Sequence, residues 1–274
     1  MKQLTDGQKS EKEMSFLSHL EELRWMLMRS IVGILIGGVV AFYFSDFIFD
    51  TIIFGPKKSS FVTYQFFCDL AVKYDLDKSF CNNEIPFEIQ NRTMDGQLSM
   101  MIWTCITAGF IISFPWILFQ LWKFISPGLY QNEKKYAKLF IFISSILFFL
   151  GILFGYFVLV PLSINFLANF TISDVVENQI DVNSYMGLVK TTSLATGLVF
   201  ELPIIIFFLA KFGIVNDQFL KDYRKYAYVL ILIVAAIVTP PDVISQIIVS
   251  IPLVILYEGS IFIAKYITKR NALK

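Results

Sequence analysis

The chain has 274 residues, 56% of them hydrophobic and only 16% charged, with a formal net charge of +1. An ordinary soluble domain carries about 25% charged residues, so there is too little charge here to cover a water-facing surface of this size. The 29 Phe residues set against 14 Gly and 9 Pro also exclude disordered and low-complexity classes.

The first 26 residues are polar or amphipathic. Residues 15–27 place Phe16, Leu17, Leu20, Leu23 and Leu27 on one stripe at helical spacing, with His19, Glu22 and Arg24 on the polar side. That pattern predicts an interfacial helix lying on the membrane before the first span. Ser18 with Glu21 can form a capping box, although Ser15 is an earlier candidate start. No cleaved signal peptide is expected, because the apolar stretch that follows is too long for an h-region and lacks a small-residue cleavage site.

Six apolar stretches follow, at about 27–49, 98–122, 137–160, 187–212, 226–239 and 243–263. Four approach or exceed the ~20 residues that cross a bilayer core of about 30 Å. The fifth covers only about 20 Å at 1.5 Å per residue before Thr239-Pro240-Pro241-Asp242 stops it. Pro252 and Glu258 interrupt the sixth, so the pair reads as a tight hairpin of two short helices. The fold expected is an all-α integral membrane protein with six transmembrane helices, the fifth and sixth short, as one membrane domain over 1–274.

Lys and Arg orient it. Most of the 23 basic residues fall in segments that share a side with the N-terminus: 1–26, a first loop at 123–136, the loop before the fifth stretch, and the C-terminal tail. The opposite loop at 162–186 has no Lys or Arg and carries Asp174, Glu177 and Asp181. By the positive-inside rule both termini are cytoplasmic, and 50–97 is a long first periplasmic loop. Cys68 and Cys81 lie in that loop, where either a disulfide or two free thiols fits. The only His is His19 and no Cys-x-x-Cys occurs, so no metal chemistry is expected.

A few acids depart from this order. Glu133 is the one acid in a basic loop: either it is solvated and paired with the neighbouring lysines, or it faces Glu22 and the two bind a cationic ligand. Glu201 and Glu258 lie inside apolar spans, where a buried carboxylate must be protonated, hydrogen-bonded or paired. Thr191, Thr192, Ser193 and Thr196 on the same span, and Gln246 on the sixth stretch, are polar partners for Glu201 by sequence. Glu258 falls close to Lys265 near the inner interface.

His19-Leu-Glu-Glu-Leu-Arg24, the loop Phe119…Trp122…Pro127-Gly-Leu-Tyr…Glu133-Lys-Lys, Phe200-Glu-Leu-Pro203 and Thr239-Pro-Pro-Asp242…Gln246…Pro252…Tyr-Glu258 occur in that order. Together they resemble TatC, the polytopic subunit of the twin-arginine (Sec-independent) protein translocase. The resemblance implies a concave bundle, N-in and C-in, in a bacterial inner membrane. It implies recognition of the Arg-Arg pair of folded-protein signal peptides by Glu22 and Glu133, supported by His19, Leu20, Leu23, Arg24, Pro127 and Gly128. It further implies that Glu201, with Gln246, contacts TatA/TatB-type single-span partners, and that Pro240, Pro241 and Asp242 form a structural hairpin. Homo-oligomerisation, lipid contact and drive by the proton-motive force belong to the same picture, with no cofactor and no nucleic acid. Two carboxylates on neighbouring segments suit two guanidiniums, each bound in a bidentate fork that Lys reproduces poorly.

Other classes fit less well. A secondary transporter using Glu201 as a coupling carboxylate would show repeated halves with paired broken helices, and only Pro115 and Pro203 correspond. No span carries two Asp, a Ser–His pair or His-Glu-x-x-His, and no Gly-x-x-x-x-Gly-Lys loop occurs, so no enzyme is expected.

Overall fold

The computed structural model describes residues 16–74, 81, 87–126, 137–173, 178–239 and 243–272. Among the described residues, five helical stretches are long and apolar enough to cross a membrane: His19–Tyr43, Gly96–Ile125, Lys138–Asn169, Val182–Lys211 and Ser245–Tyr266. Backbone N–H and C=O groups have no partner in hydrocarbon, so such segments close their bonds internally as helices.

The first, α1 (Phe16–Tyr43), is one continuous helix of 28 residues. The amphipathic stretch at 15–27 is therefore the opening of the spanning helix rather than a separate helix on the membrane. No Gly or Pro lies between Phe16 and Val32 to break it. Ser18 lies inside α1 and not at its start, and Ser15 lies outside the described residues.

After α1 the chain turns through Ser45–Phe47, a π-turn at Ile48–Ile53 and a 3-10 turn at Gly55–Lys57. It then forms α2 (Val62–Tyr74) and the strand β1 (Glu88–Gln90). The helix α3 (Gly96–Ile125) passes through Pro115. The next span is built from α4 (Ala137–Phe154), a π-turn at Gly155–Leu159 and α5 (Val160–Asn169). Strand β2 (Gln179–Asp181) leads into α6 (Val182–Val199) and α7 (Leu202–Lys211). A short α8 (Asp217–Asp222), α9 (Arg224–Val238) and α10 (Val243–Ala272) complete the described chain.

Two expectations change here. The sixth helix is not short: α10 has 30 residues and runs unbroken through Pro252. A proline removes one backbone bond, which a long packed helix tolerates, and Ser250 donates to the Ile247 carbonyl at 2.9 Å beside the affected turn. The helical architecture also contains a two-stranded parallel ribbon, β1 with β2, in which Ile89 sits opposite Ile180. The fifth stretch does form a short helix: the 15 residues of α9 reach only about 22 Å.

Two glycine seams hold the spans together. A Cβ on Gly109 of α3 would stand 2.5 Å from the Gly38 nitrogen and the Ile34 oxygen of α1. Backbones meet there, and Ser113 donates to the Gly33 carbonyl at 2.7 Å. In the second seam a Cβ on Gly151 of α4 would stand 2.8 Å from Gly197 Cα and the Thr196 oxygen of α6. Without a hydrophobic drive between helices in lipid, such close approach supplies the association. Aromatic rings fill the space between α3 and α4, with Phe114 stacked on the fully buried Phe148 at 3.6 Å.

The bundle has two ends. At one, the terminal end, lie the starts of α1 and α4, the ends of α3 and α7, and the end of α10. The other end is capped by α2 and the ribbon. Pro161 of α5 has no N–H to return to the Phe157 carbonyl, and Thr63 of α2 donates to that carbonyl instead. Tyr64 donates to the Pro56 carbonyl at 3.0 Å and lies 3.3 Å from that of Pro161, and its burial pushes the phenol pKa upward. Tyr185 donates to the Ile53 carbonyl at 3.0 Å. Cys68 in α2 is disulfide-bonded to Cys81, with Cα atoms 4.9 Å apart. The described parts of the long first loop thus form a cap on this end.

Candidate functional site

At the terminal end, His19 of α1 stacks on Phe124 in the last turn of α3, with ring centroids 4.4 Å apart. Further along, Trp116 donates its indole N–H to the Arg29 carbonyl at 3.2 Å, and the Arg29 guanidinium lies 6.0 Å from the Trp25 ring. These contacts fix the first turns of α1 against the end of α3. The result is that Glu22 and Arg24 stand exposed, Leu20 is largely exposed and Leu23 is half-buried. Among the described residues Arg24 has no partner. The loop that carries Pro127, Gly128 and Glu133 continues directly from this end of α3. Those three residues lie outside the described residues, as do Pro240, Pro241 and Asp242.

A second polar centre lies inside the bundle. Pro203 cannot donate to the Val199 carbonyl, and the helix breaks between α6 and α7 at Phe200–Glu201. Glu201 sits at that break with 8% of its surface exposed. Its Oε2 accepts from the Ser144 hydroxyl of α4, whereas Oε1 has no hydrogen-bond partner among the described residues. Ser144 lies about 10 Å along α4 from its terminal-end start, so this carboxylate is in the membrane half nearer the terminal end.

None of the expected partners bonds Glu201 among the described residues: Thr192 lies 3.5 Å from the Val238 carbonyl, and the buried Ser193 hydroxyl has no hydrogen-bond partner there. Thr191 and Thr196 donate to carbonyls of their own helix, at Gly187 and Thr192. Gln246 donates to the Leu232 carbonyl of α9 at 3.2 Å and serves the α9–α10 contact. The signal for Ser144 was present in the sequence, since Ser144-Ser145 is a polar pair inside the third apolar stretch, but pairing it with Glu201 needs the register of two antiparallel helices.

Glu258 of α10 shows the same pattern. Its partner is Arg224 at the start of α9: Nε lies 2.9 Å from Oε1, and Nη2 donates to Oε2 at 2.9 Å. Tyr228, one turn further on, donates to Oε1. The fork ties the short α9 to α10, so Glu258 is a packing residue joined to Arg224 and not to Lys265. No group of three or more His, Cys, Asp or Glu with metal-site geometry occurs among the described residues.

The profile of the family described as Sec-independent protein translocase protein (TatC) matches residues 18–252. The chain belongs to the TatC family. It is 42% identical over 265 residues to the TatC of Blattabacterium sp. subsp. Periplaneta americana (strain BPLAN), covering 96% of this chain and 100% of that one. It is 33% identical to the TatC of Aquifex aeolicus (strain VF5), covering 94% and 98% of the two chains. Among solved structures it resembles the crystal structure of the twin-arginine translocase receptor TatC in DDM, with a TM-score of 0.69 and 34% identity over 90% of this chain and 99% of that one. TatC is a component of a protein translocase, so the chain is a multi-pass membrane protein of a transport family.

Proposed function

We propose that the chain is the receptor subunit of a twin-arginine translocase in a bacterial inner membrane, with the terminal end facing the cytoplasm. Both termini are then inside, and α9 is the short fifth of six spans. The observation that carries the recognition role is the exposure of Glu22 on α1, held beside the end of α3 by the His19–Phe124 stack. The second acid of the pair is Glu133, in the 127–136 segment that follows α3 in sequence. Two carboxylates then receive the two guanidiniums of a signal peptide, each as a charge-assisted fork.

Glu201 takes the second step. Its free Oε1 is an acceptor within the membrane, where a polar residue of a TatA/TatB-type single-span partner finds a bond unavailable from lipid. The short α9 thins the contact surface for that partner. Several copies assemble in the receptor complex, and export of the folded cargo draws on the proton-motive force.

The test is complementation of a strain that lacks TatC, scored by export of a folded reporter carrying a twin-arginine signal. Export should be restored by the chain and lost with Glu201→Ala, while signal-peptide binding survives that substitution. Export at the undiminished rate in Glu201→Ala would reduce the residue to a structural role.

A further inference from the structure

We propose that α2 is an interfacial helix, seated in the lipid headgroup layer at the capped end of the bundle with one flank in the acyl boundary. Its docking point fixes its depth. Thr63 of α2 donates to the carbonyl of Phe157, and at 1.5 Å per residue Phe157 stands about 28 Å from Lys138 at the opposite end of its span. A bilayer core is about 30 Å thick. The helix therefore meets the bundle where hydrocarbon ends and headgroups begin, while α5 continues beyond it into the cap.

A charge on a different helix marks the same level. Gly155 packs on Ser193 of α6, with a hypothetical Cβ 2.9 Å from Ser193 Cα. One turn further toward the cap on each helix, Lys190 is level with Val158. Lys190 is half-buried and has no partner among the described residues. An ammonium at that depth is satisfied by lipid phosphate and would be expensive any deeper.

The sequence of α2 matches this seat. Thr63, Tyr64 and Ala71 are buried against the bundle. Phe66, Leu70 and Tyr74 follow at four-residue spacing along the adjacent flank and are exposed at 60%, 37% and 63%. Gln65 and Asp69 lie exposed further round, and the Lys73 ammonium stands 5.8 Å from the Tyr74 ring. An apolar flank that continues the buried face, beside a mixed face where Gln65, Asp69 and Lys73 alternate with the exposed Val62 and Val72, suits a helix lying at a corner between protein and membrane. Aromatic rings and Lys at headgroup level complete it. The exposed, lipid-level Phe157 makes the surface continuous between span and helix. The Cys68–Cys81 disulfide then ties the exit of the helix back to its centre.

Site-directed spin labelling tests the proposal in the full chain, with Cys105→Ala removing the free thiol and the native disulfide retained. Labels placed by Phe66→Cys, Leu70→Cys and Asp69→Cys are read in phosphatidylcholine–phosphatidylglycerol vesicles. Collisions with lipid-soluble oxygen and with a water-soluble nickel chelate are compared at each position. Oxygen should dominate at 66 and 70, and nickel at 69. Nickel dominance at all three positions would place α2 in water and overturn the proposal. Exclusion of both reagents at 66 and 70 would also overturn it, since the flank would then be covered by protein. If the label at 66 impairs folding, as judged by circular dichroism, position 70 paired with 69 separates the same outcomes.

Discussion

α1 and the α6–α7 pair are both membrane-spanning, yet they are held in different ways. Only 11% of the most apolar window of α1 is buried in the bundle, against 44% for Val182–Lys211. α1 rests on one seam with α3, and Leu35, Ile36 and Val39 face outward. The α6–α7 pair is packed by α4 and by α10, and it holds the buried Glu201. A peripheral helix leaves the polar residues at its end exposed, with little burial of its own; in the proposed function that end is the recognition surface. A central helix can keep a carboxylate out of water because surrounding helices supply a donor. Position in the bundle, more than composition, assigns the two roles.

Matched glycine substitutions separate the two regions most strongly. Gly151→Leu would drive a side chain into Gly197 Cα and the Thr196 carbonyl at the centre. Overpacking costs about 1–3 kcal/mol and more where only backbone is available to yield, so the protein should fail to accumulate in the membrane. Gly109→Leu places the same clash in the α1–α3 seam. There the expected result is a folded α3–α10 core with α1 detached, read as protease sensitivity of the N-terminal segment. Equal collapse in both variants would erase the distinction.

The carboxylate comes next. Ser144→Ala removes the only donor to Glu201 among the described residues and leaves both oxygens buried without a bond from them, a loss of about 1–3 kcal/mol measurable by thermal unfolding in detergent. Adding Glu201→Leu should recover most of that stability while export is lost, because the polar partner site is gone. Recovery of export in the double variant would contradict a role for the carboxylate.

At the periphery the expected effects are smaller. Arg224→Ala breaks the fork to Glu258 but leaves the Tyr228 hydroxyl in place. With both charged side chains partly exposed, the loss should be about 1 kcal/mol or less, together with easier separation of α9 from α10. At the cap, Asp181 accepts from the Asn183 N–H at 2.8 Å, which with Arg92 holds its carboxyl below the usual carboxylate range. A depressed folded-state pKa gives stability that is present above the ordinary Asp value and fades as pH falls through the folded one. Acid should therefore loosen the start of α6 in the native chain and make no further difference in Asp181→Asn, as read by hydrogen exchange at Asn183.

Five of the six apolar stretches were legible from hydropathy as helices long enough to span, because in lipid every long apolar segment has the same solution. So was the shortness of α9, which ends where the Pro240-Pro241 pair begins. Pro252 misled, since a proline in sequence does not reveal whether packing will carry a helix through it. The partners of Glu201 and Glu258 were not legible either. Ser144 is 57 positions from Glu201 and Arg224 is 34 from Glu258, and only antiparallel register brings each pair together. The cap was hidden for the same reason: a proline in α5 creates the acceptor that α2 comes to fill.

The central claim, that Glu22 with Glu133 receives the two arginines, is tested most directly by photo-crosslinking of a twin-arginine signal peptide to the membrane-inserted chain. Crosslinking should be lost in Glu22→Ala and in Glu133→Ala, and with a Lys-Lys peptide, while insertion of the chain is unchanged. Undiminished crosslinking in both variants would contradict it.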